Sequence, residues 1–244
     1  VLYLTISTRR RQQREEQRIR NKAEKLQLEH QALYAMMNPH FTFNALQSIG
    51  NFIQRNDKKS AHKFLSSFAK LVRKNLDSTQ VDFISLSEEL DRLKLYLALE
   101  KMRFPEKFDY GFDIDPELDL SSTQIPPMLL QPFVENSIKH GIMSLEKDGF
   151  INVSIWQQDD EYLKVKVQDN GIGITASRNM RRNRPSDHVS KGMKITQDRL
   201  ELFARMANRT YDLSIDEIKD DDGSVRGTEV DLLIPLHLGE LVFQ

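Results

Sequence analysis

An α+β fold is predicted, with an N-terminal helical hairpin followed by an α/β sandwich built on a mixed sheet. In the N-terminal part, apolar residues recur at steps of three, four or seven, which is the spacing of helices that bury one face. The second half instead contains short segments in which apolar and polar residues alternate, as in strands with one buried face. Turns rich in glycine, proline and aspartate separate these segments.

Composition narrows the class of protein. The chain has 244 residues, of which 39% are hydrophobic and 29% charged, so one large or two modest folded domains are expected. The net charge of −1 argues against a nucleic-acid binder that works by bulk charge, and no direct nucleic-acid partner is predicted. The chain contains no cysteine, which excludes disulfides and thiolate zinc sites and fits a reducing compartment.

The N-terminal segment, residues 1–24, is predicted to be a membrane-proximal linker helix. The apolar stretch "VLYLTI" is too short to cross a bilayer, but it is followed by an arginine-rich run over 9–22. An apolar end followed by basic residues is expected on the cytoplasmic side of a membrane-spanning helix. The chain is therefore predicted to be the cytoplasmic part of an inner (cell) membrane protein, although a solvated helix with an accidental apolar tip gives the same pattern.

Residues 25–84 are predicted to form a helical hairpin. One apolar stripe shares a single helix face, and the polar turn "RNDKK" separates it from a second amphipathic helix over 60–76. The stripe consists of Leu26, Leu33, Met37, Phe41, Ala45, Ile49 and Phe52. Because one hairpin covers only half of such a stripe, pairing with a second copy into a four-helix bundle is predicted, which makes the protein a homodimer.

Residues 85–244 are predicted to form the mixed sandwich. Ser85 and Glu88 have the spacing of a capping box and predict a helix that stops before Pro105. Strands are predicted at 108–114, at "FINVSIW", at "YLKVKVQD", and at two C-terminal segments on either side of "KDDDGSVRG". Helices are predicted over 126–142 and 189–207.

Three segments of this second part contain candidate functional residues. In "DNGIG", Asp169 ends a strand and can accept a hydrogen bond from an exocyclic amine, while Gly171 and Gly173 allow close backbone approach; the same letters also form ordinary turns. In "ENSIKHG", Asn136, Lys139 and His140 share a helix face that suits a hard cation and phosphate, or simply solvent. The basic segment 175–194 suits either a phosphate-covering loop or a solvated one.

Taken in order, "ENSIKHG", "DNGIG", "SKGMKITQDRL" and "GTEV" resemble the ATP-binding domain of the GHKL superfamily, which has the Bergerat fold. The segment "LYAMMNPHFTFNALQSI", with "YLALEKMRF" and "PPMLLQPFVENSIKHGI", is similar to the LytS/YehU-type bacterial sensor histidine kinases. The resemblance covers about residues 25–236, which is nearly the whole chain.

The resemblance implies the cofactors ATP and Mg²⁺ and assigns their binding residues. Asn136 would hold Mg²⁺ through the phosphates, Asp169 would read the adenine amine, and residues 175–192 would form a lid over the nucleotide. The residues implied in nucleotide binding are Asn136, Lys139, His140, Asp169, Gly171, Gly173, Gly192 and Thr228. The usual second glycine box, G-x-G-L-x-N, is incomplete, because only Gly192 is kept and the other positions hold Ser190, Met193 and Ile195.

One departure from the superfamily favours phosphoryl transfer over ATP hydrolysis. Hydrolysing members have a water-activating glutamate four residues before the Mg²⁺-binding asparagine, and here that position is Pro132. A domain that binds ATP without activating water is expected to transfer the phosphoryl group to another nucleophile.

His40, in "NPHFTFN", is the candidate nucleophile, since neutral imidazole is available near pH 7. Asn44 lies one turn later on the same face; by resemblance it would orient water for phosphatase action on a response regulator. Pro39 predicts a local kink beside the histidine. Phe41 stands where many kinases have an acidic general base, so Glu100 and Glu135 are both open candidates for that base.

The predicted function is a sensor histidine kinase that phosphorylates His40 from ATP and passes the phosphoryl group to an aspartate of a response regulator receiver domain. A nucleotide-binding pseudokinase that acts as a dimeric signalling scaffold is the first alternative, because the second glycine box is incomplete. A stand-alone ATPase is the second alternative, and Pro132 disfavours it.

Overall fold

The computed structural model describes residues 20–21, 24, 39–78, 81–181 and 191–236, without the side chains of Pro39, His40, Arg181 and Lys191. Most of the predicted linker helix, the stripe residues before Pro39, the predicted kink and residues 182–190 lie outside the described residues. The helices are α1 (Pro39–Gln54), α2 (Lys58–Asp77), α3 (Leu86–Arg103), α4 (Gln131–Asn136), α5 (Gly173–Arg181) and α6 (Lys191–Met206). The strands are β1 (Ile84–Ser85), β2 (Phe108–Ile114), β3 (Gln124–Ile125), β4 (Gly149–Gln157), β5 (Tyr162–Asp169), β6 (Asp212–Lys219) and β7 (Val225–Pro235).

Helices α1 and α2 form the predicted hairpin. Asn56 takes the left-handed conformation in the turn, with φ of 57°, and the Asp57 side chain caps α2 by accepting from the Ser60 backbone N–H at 3.0 Å. Two pairs of aromatic rings then join the two helices. The ring centroids of Phe52 and Phe64 are 5.9 Å apart, and those of Phe41 and Phe68 are 5.7 Å apart.

The predicted apolar stripe of α1 is covered within one chain. Ala45 is buried, and Phe41, Ile49 and Phe52 pack against the same core cluster. A second row on α1 is exposed instead: Phe43 is 70% exposed, Leu46 56% and Ile53 63%. On α2, Leu65, Val72 and Leu76 are also exposed. The apolar side chains available for pairing with another chain therefore form a different row from the stripe that the periodicity predicted.

Helix α3 lies at the centre of the molecule. It begins with the predicted capping box, in which the Ser85 side chain accepts from the Glu88 backbone N–H and Glu88 accepts from the Ser85 backbone N–H. Leucines on more than one side of the helix are buried, so α3 packs against the hairpin and the sandwich at once. The short β1–β3 pair fixes the start of α3 against residues 124–125.

The five-stranded sheet has the order β2-β4-β5-β7-β6. The β2–β4 pair is parallel and the other pairs are antiparallel, so the sheet is mixed, as predicted. Burial alternates along β4 and β5, which gives the sheet one buried face. That face belongs to one hydrophobic cluster that also contains residues of α1, α2, α3, α4 and α6.

Within the described ranges, no helix has both the length and the apolar character needed to cross a bilayer.

Candidate nucleotide site

Asp169 ends β5 and is the centre of the candidate site. Its side chain is 4% exposed, and its Oδ1 accepts a hydrogen bond from the Gly171 backbone N–H at 2.9 Å. Burial raises the pKa of this carboxyl above its ordinary value, and hydrogen bonds from the Ser137 side chain and from the backbone of Gly171 and Thr228 oppose the rise. A carboxylate has about four acceptor positions, so it can accept these three donors and one more from a ligand.

The segment "ENSIKHG" combines the end of an α-helix with a π-helical turn. Helix α4 ends at Asn136, and a π-helical turn follows from Ser137 to Gly141. Such π turns occur frequently at functional sites. Ser137, inside this turn, donates to Asp169, so the turn and the end of β5 share one polar cluster.

Gly141 and Gly171 allow the π turn to touch the glycine turn. A Cβ on Gly171 would lie 2.4 Å from the Gly141 Cα, and a Cβ on Gly141 would lie 2.6 Å from Asp169 Oδ1. Both distances are too short for real atoms, so only glycine fits at either position. The two sequence segments that resemble the ATP-binding domain are therefore in direct backbone contact.

The other predicted residues of the adenine end lie close by. Thr228 is the register partner of Asp169 in the β5–β7 pair. The preceding Gly227 lets β7 approach, because a Cβ there would lie 1.7 Å from the Asp169 carbonyl oxygen. Gly173 starts α5 with φ of 79°, in the region that favours glycine, and faces Val225.

Lys139 and Glu135 form an ion pair one helical turn apart. Both side chains are partly exposed, so the pair is accessible to a ligand's charge. Asn136 and His140 also have interaction partners within the chain. Together with Glu135 and Lys139, they lie on consecutive turns of the same helical segment. The predicted phosphate-binding lysine is thus held by a carboxylate beside the candidate metal ligand.

The segment predicted to be a lid begins as a helix. Gly173–Arg181 forms α5, whereas a loop was predicted from residue 175 onward. The following residues, 182–190, lie outside the described ranges. At the start of α6, a Cβ on Gly192 would lie 3.7 Å from the Pro132 Cβ, so this glycine lies against the first turn of α4.

A second polar cluster joins α3 to α4. Glu100 is buried and pairs with Arg103, with 2.5 Å between Glu100 Oε1 and Arg103 Nη1. Burial raises the pKa of the Glu100 carboxyl, Arg103 lowers it, and Glu135 and Lys139 are close enough to contribute. Both residues predicted as candidate general bases therefore belong to one cluster, and the Phe41 ring packs near it, 5.7 Å from the ring of Tyr96.

His40 lies in the first turn of α1, directly before Phe41. Its side chain is outside the described part of the structure, so the prediction that it shares a functional face with Asn44 stays a prediction. The Asn44 backbone carbonyl accepts from Ser48 Oγ at 2.8 Å.

Three residues of the site were missed by the sequence analysis: Ser137, Gly141 and Gly227. Ser137 and Gly141 lie within "ENSIKHG", and Gly227 begins "GTEV". All three residues therefore belong to segments that resemble the ATP-binding domain. Their roles depend on contacts with Asp169 across large sequence separations, which no local pattern reveals.

Comparisons with known proteins identify the family. A model of the histidine kinase family matches residues 28–108, which include His40 and α3. The sensor protein LytS of Staphylococcus saprophyticus is 33% identical over 208 residues, which cover 84% of this chain and 33% of that protein. The chain belongs to the histidine kinase family.

Two further relatives are also named as sensor histidine kinases. The sensor histidine kinase YpdA of Escherichia coli is 35% identical over 169 residues, covering 69% of this chain and 28% of that protein. The sensor histidine kinase/phosphatase LytS of Staphylococcus aureus is 32% identical over 144 residues, which cover 59% of this chain and 24% of that protein. The chain therefore spans about a quarter to a third of the length of these relatives. The matches favour a kinase over the nucleotide-binding scaffold.

Among solved structures, the histidine kinase domain of a blue-light activated kinase from Erythrobacter litoralis is similar, with a TM-score of 0.46 and 17% identity, covering 73% of this chain and 79% of that one. A mycobacterial sensor histidine kinase, MprB, gives a TM-score of 0.42 and 17% identity, covering 63% and 96%.

Proposed function

We propose that this chain is the kinase core of a two-component sensor: it binds ATP, transfers the γ-phosphoryl group to His40, and donates it to an aspartate of a response regulator. The observation that supports this most strongly is the contact between the π turn and the Asp169–Gly171 turn. It joins an amine-accepting carboxylate to a helix with cation- and phosphate-binding side chains.

In this proposal, Asp169 accepts the adenine amine in addition to its three protein donors. Gly171 and Gly173 keep side chains out of the adenine pocket, and Thr228 lines its far side. Because Asp169 is almost fully buried, an unpaired donor or acceptor at this point is costly, and the pocket selects a base with an exocyclic amine.

The phosphate end would be formed by Asn136, Lys139, His140 and Gly192. Within the described part of the chain, no group of three or more acidic or histidine side chains is arranged to hold a metal. An Mg²⁺ ion at Asn136 would accordingly take most of its ligands from phosphate oxygens and water, which is how proteins commonly bind this ion with nucleotides. When bound, the ion neutralises phosphate charge, while Lys139 exchanges its Glu135 partner for a phosphate oxygen.

His40 would accept the phosphoryl group in line. The imidazole nitrogen that has the lone pair forms a bond to the γ-phosphorus, the bond to the β,γ-bridging oxygen breaks, and ADP leaves. The other ring nitrogen then gives its proton to a base, for which Glu100 and Glu135 are the candidates. Asn44 would orient water for hydrolysis of the phosphorylated partner, in line with the kinase/phosphatase name of the Staphylococcus aureus relative.

The proposed assembly is a homodimer anchored to the membrane through a segment upstream of residue 1, with the kinase core in the cytoplasm. The exposed apolar row of α1 and the exposed leucines and valine of α2 support pairing of two hairpins, because their three-, four- and seven-residue steps are those of a helical-bundle seam. The arginine-rich run over 9–22 supports the cytoplasmic orientation.

Incubation with γ-labelled ATP tests the proposal. The wild-type chain should acquire a label that is acid-labile and base-stable, His40→Gln should bind nucleotide without label, and Asn136→Ala should lose the label because the metal site is lost. Nucleotide binding without label would favour the scaffold. Release of free phosphate that does not depend on His40 would favour an ATPase.

A further inference from the structure

The loop that precedes α4, residues 126–130, has an unusual conformation and is buried along its whole length. Met128 has φ of 59°, a backbone conformation that residues other than glycine rarely adopt. Such a conformation persists only where the surroundings determine it. The loop leads directly into α4, since Leu130 is the residue before its first turn.

Two buried charged residues from different helices hold this loop. Glu89 of α3 is 1% exposed, and its Oε2 and Oε1 accept from the backbone N–H groups of Met128 and Leu130 at 2.9 and 3.0 Å. Arg199 of α6 donates from Nη1 to the Pro127 carbonyl at 2.8 Å. The two side chains bind neighbouring backbone groups of the same loop, and we call them the loop clamp.

The clamp connects three parts of the molecule. Arg199 lies on α6, whose first turn contacts Pro132 of α4 through Gly192. On the other side, Ser78 at the end of the hairpin accepts from Arg92 Nη1 at 3.0 Å and lies 3.9 Å from the Met128 sulfur. The hairpin end, α6 and the start of α4 therefore all contact this loop or the residues next to it.

Helix α4 is short and would itself carry the phosphate-binding residues. With only six residues, it has few turns of its own to absorb a shift at its start before Asn136. By contrast, Asp169 and Thr228 are placed by the β5–β7 pairing, which does not pass through the loop. A displaced loop should therefore affect the phosphate end of the site more than the adenine end, which is connected to α4 only through the π turn that follows it.

We propose that Glu89 and Arg199 are positioning residues that fix loop 126–130 and thereby place Asn136 and Lys139 at the phosphates of the bound nucleotide. The inference rests on the proposed function, since it presupposes the assignment of Asn136 and Lys139. Neither clamp residue is among the residues proposed to bind the nucleotide.

The test compares binding of adenosine and of MgADP to the full chain by calorimetry. Glu89→Gln keeps the shape of the side chain but replaces one acceptor oxygen by a donor that would face a backbone N–H. Arg199→Lys keeps the charge but loses the guanidinium geometry. Each should raise the Kd for MgADP on the order of tenfold and leave the Kd for adenosine within about twofold. In the double variant, the Kd for MgADP should rise by less than the product of the two single increases, because both residues act through one loop.

Matched controls on the same helices are Asp91→Asn and Arg205→Lys, both at more exposed positions. They should leave both Kd values unchanged. If Glu89→Gln does not fold, Arg199→Lys decides the question alone. Equal weakening of adenosine and MgADP, or no weakening of either, would overturn the clamp. A wild-type chain that binds neither ligand would instead overturn the proposed function and the clamp with it.

Discussion

Asp169 is the residue on which the proposed nucleotide site depends. Its carboxylate accepts from the Gly171 backbone N–H and interacts with Ser137 and Thr228, and in the proposed site it would also accept the ligand's amine. An asparagine has the same shape but only one acceptor oxygen, and its amino group would face other donors.

Asp169→Asn is therefore expected to weaken adenosine binding by about ten- to a hundredfold, because an unpaired buried polar group costs about 1–3 kcal/mol. Calorimetric titration with adenosine measures this change. Asp231→Asn, on the neighbouring strand β7 at a more exposed position, is the control and should bind adenosine normally. Unchanged binding to Asp169→Asn would remove Asp169 from the site.

The same residue predicts a pH dependence of stability. Because burial raises the pKa of Asp169 in the folded state above its ordinary value of 3.8, the stability that this group contributes is fully present below 3.8 and is lost as the pH rises through the folded-state pKa. The free energy of unfolding of the nucleotide-free wild type, relative to Asp169→Asn, should fall between acidic and neutral pH. Urea unfolding at pH 4 and pH 7.5 measures it, and a rise would contradict the assigned shift.

Gly141 is a residue-scale test of the contact between the two turns. Gly141→Ala places a Cβ 2.6 Å from Asp169 Oδ1, so either the π turn or the carboxylate must move. We expect a loss of about 1–3 kcal/mol in the free energy of unfolding and weaker adenosine binding. Gly50→Ala, which would meet nothing within 4 Å, is the control and should stabilise α1 by up to about 1 kcal/mol. Equal behaviour of the two variants would mean that the contact is absent.

At the scale of elements, helix α1 of the hairpin has two apolar rows, one buried within the chain and one exposed. Phe41, Ala45 and Phe52 pack within the chain, while Phe43, Leu46 and Ile53 are exposed. Rows of both kinds have helical spacing. For this reason periodicity predicted the hairpin correctly but could not decide which row is covered by α2 and α3.

Leu46→Glu combined with Ile53→Glu is expected to convert the proposed dimer into a monomer. Each position occurs twice in a symmetric dimer, and burial of one such side chain contributes about 1.5–3 kcal/mol. Sedimentation equilibrium measures the dissociation constant, which should rise by at least about tenfold. Asn51→Glu lies on a different side of α1, at an exposed position, and should leave the dimer intact. A dimer that persists in the double variant would place the interface elsewhere.

Other elements show where sequence patterns stop being informative. The alternation in "YLKVKVQD" predicted β5 to the residue, and Ser85 with Glu88 predicted the start of α3. Helix α5 was missed because its glycine start and the basic, proline-containing segment after it are typical of a loop. The π turn at Ser137–Gly141 was also missed, because its shape is set by contact with Gly171 and Asp169, far along the chain.

At the scale of the whole molecule, α3 joins the hairpin and the sandwich in one core. Phe64 and Leu71 of the hairpin belong to the same buried cluster as Val153 and Val165 of the sheet. The predicted domain boundary at residue 85 therefore falls at the start of the helix that both parts share, and the two parts are expected to unfold together.

Leu90→Ala tests this shared core. Leu90 is buried in α3, and its truncation should lower the free energy of unfolding by about 2–5 kcal/mol. Fluorescence of Trp156, the single tryptophan, reports on β4, and far-UV circular dichroism reports mainly on the helices. In the wild type and in Leu90→Ala, the two signals should give the same unfolding midpoint, and this midpoint should be lower in the variant. Met180→Ala, at an exposed position, should leave the midpoint of both signals unchanged. Separate transitions would show two independent domains.

The central claim is that His40 receives the γ-phosphoryl group of a nucleotide bound between Asp169 and Asn136. Tandem mass spectrometry of the chain after reaction with MgATP, under conditions that keep phosphoramidates intact, tests it most directly. The account predicts one added phosphoryl group on the peptide that contains residues 38–44, located on His40 and absent from Asn136→Ala. A phosphoryl group on another residue, or none in a chain that binds MgATP, would contradict it.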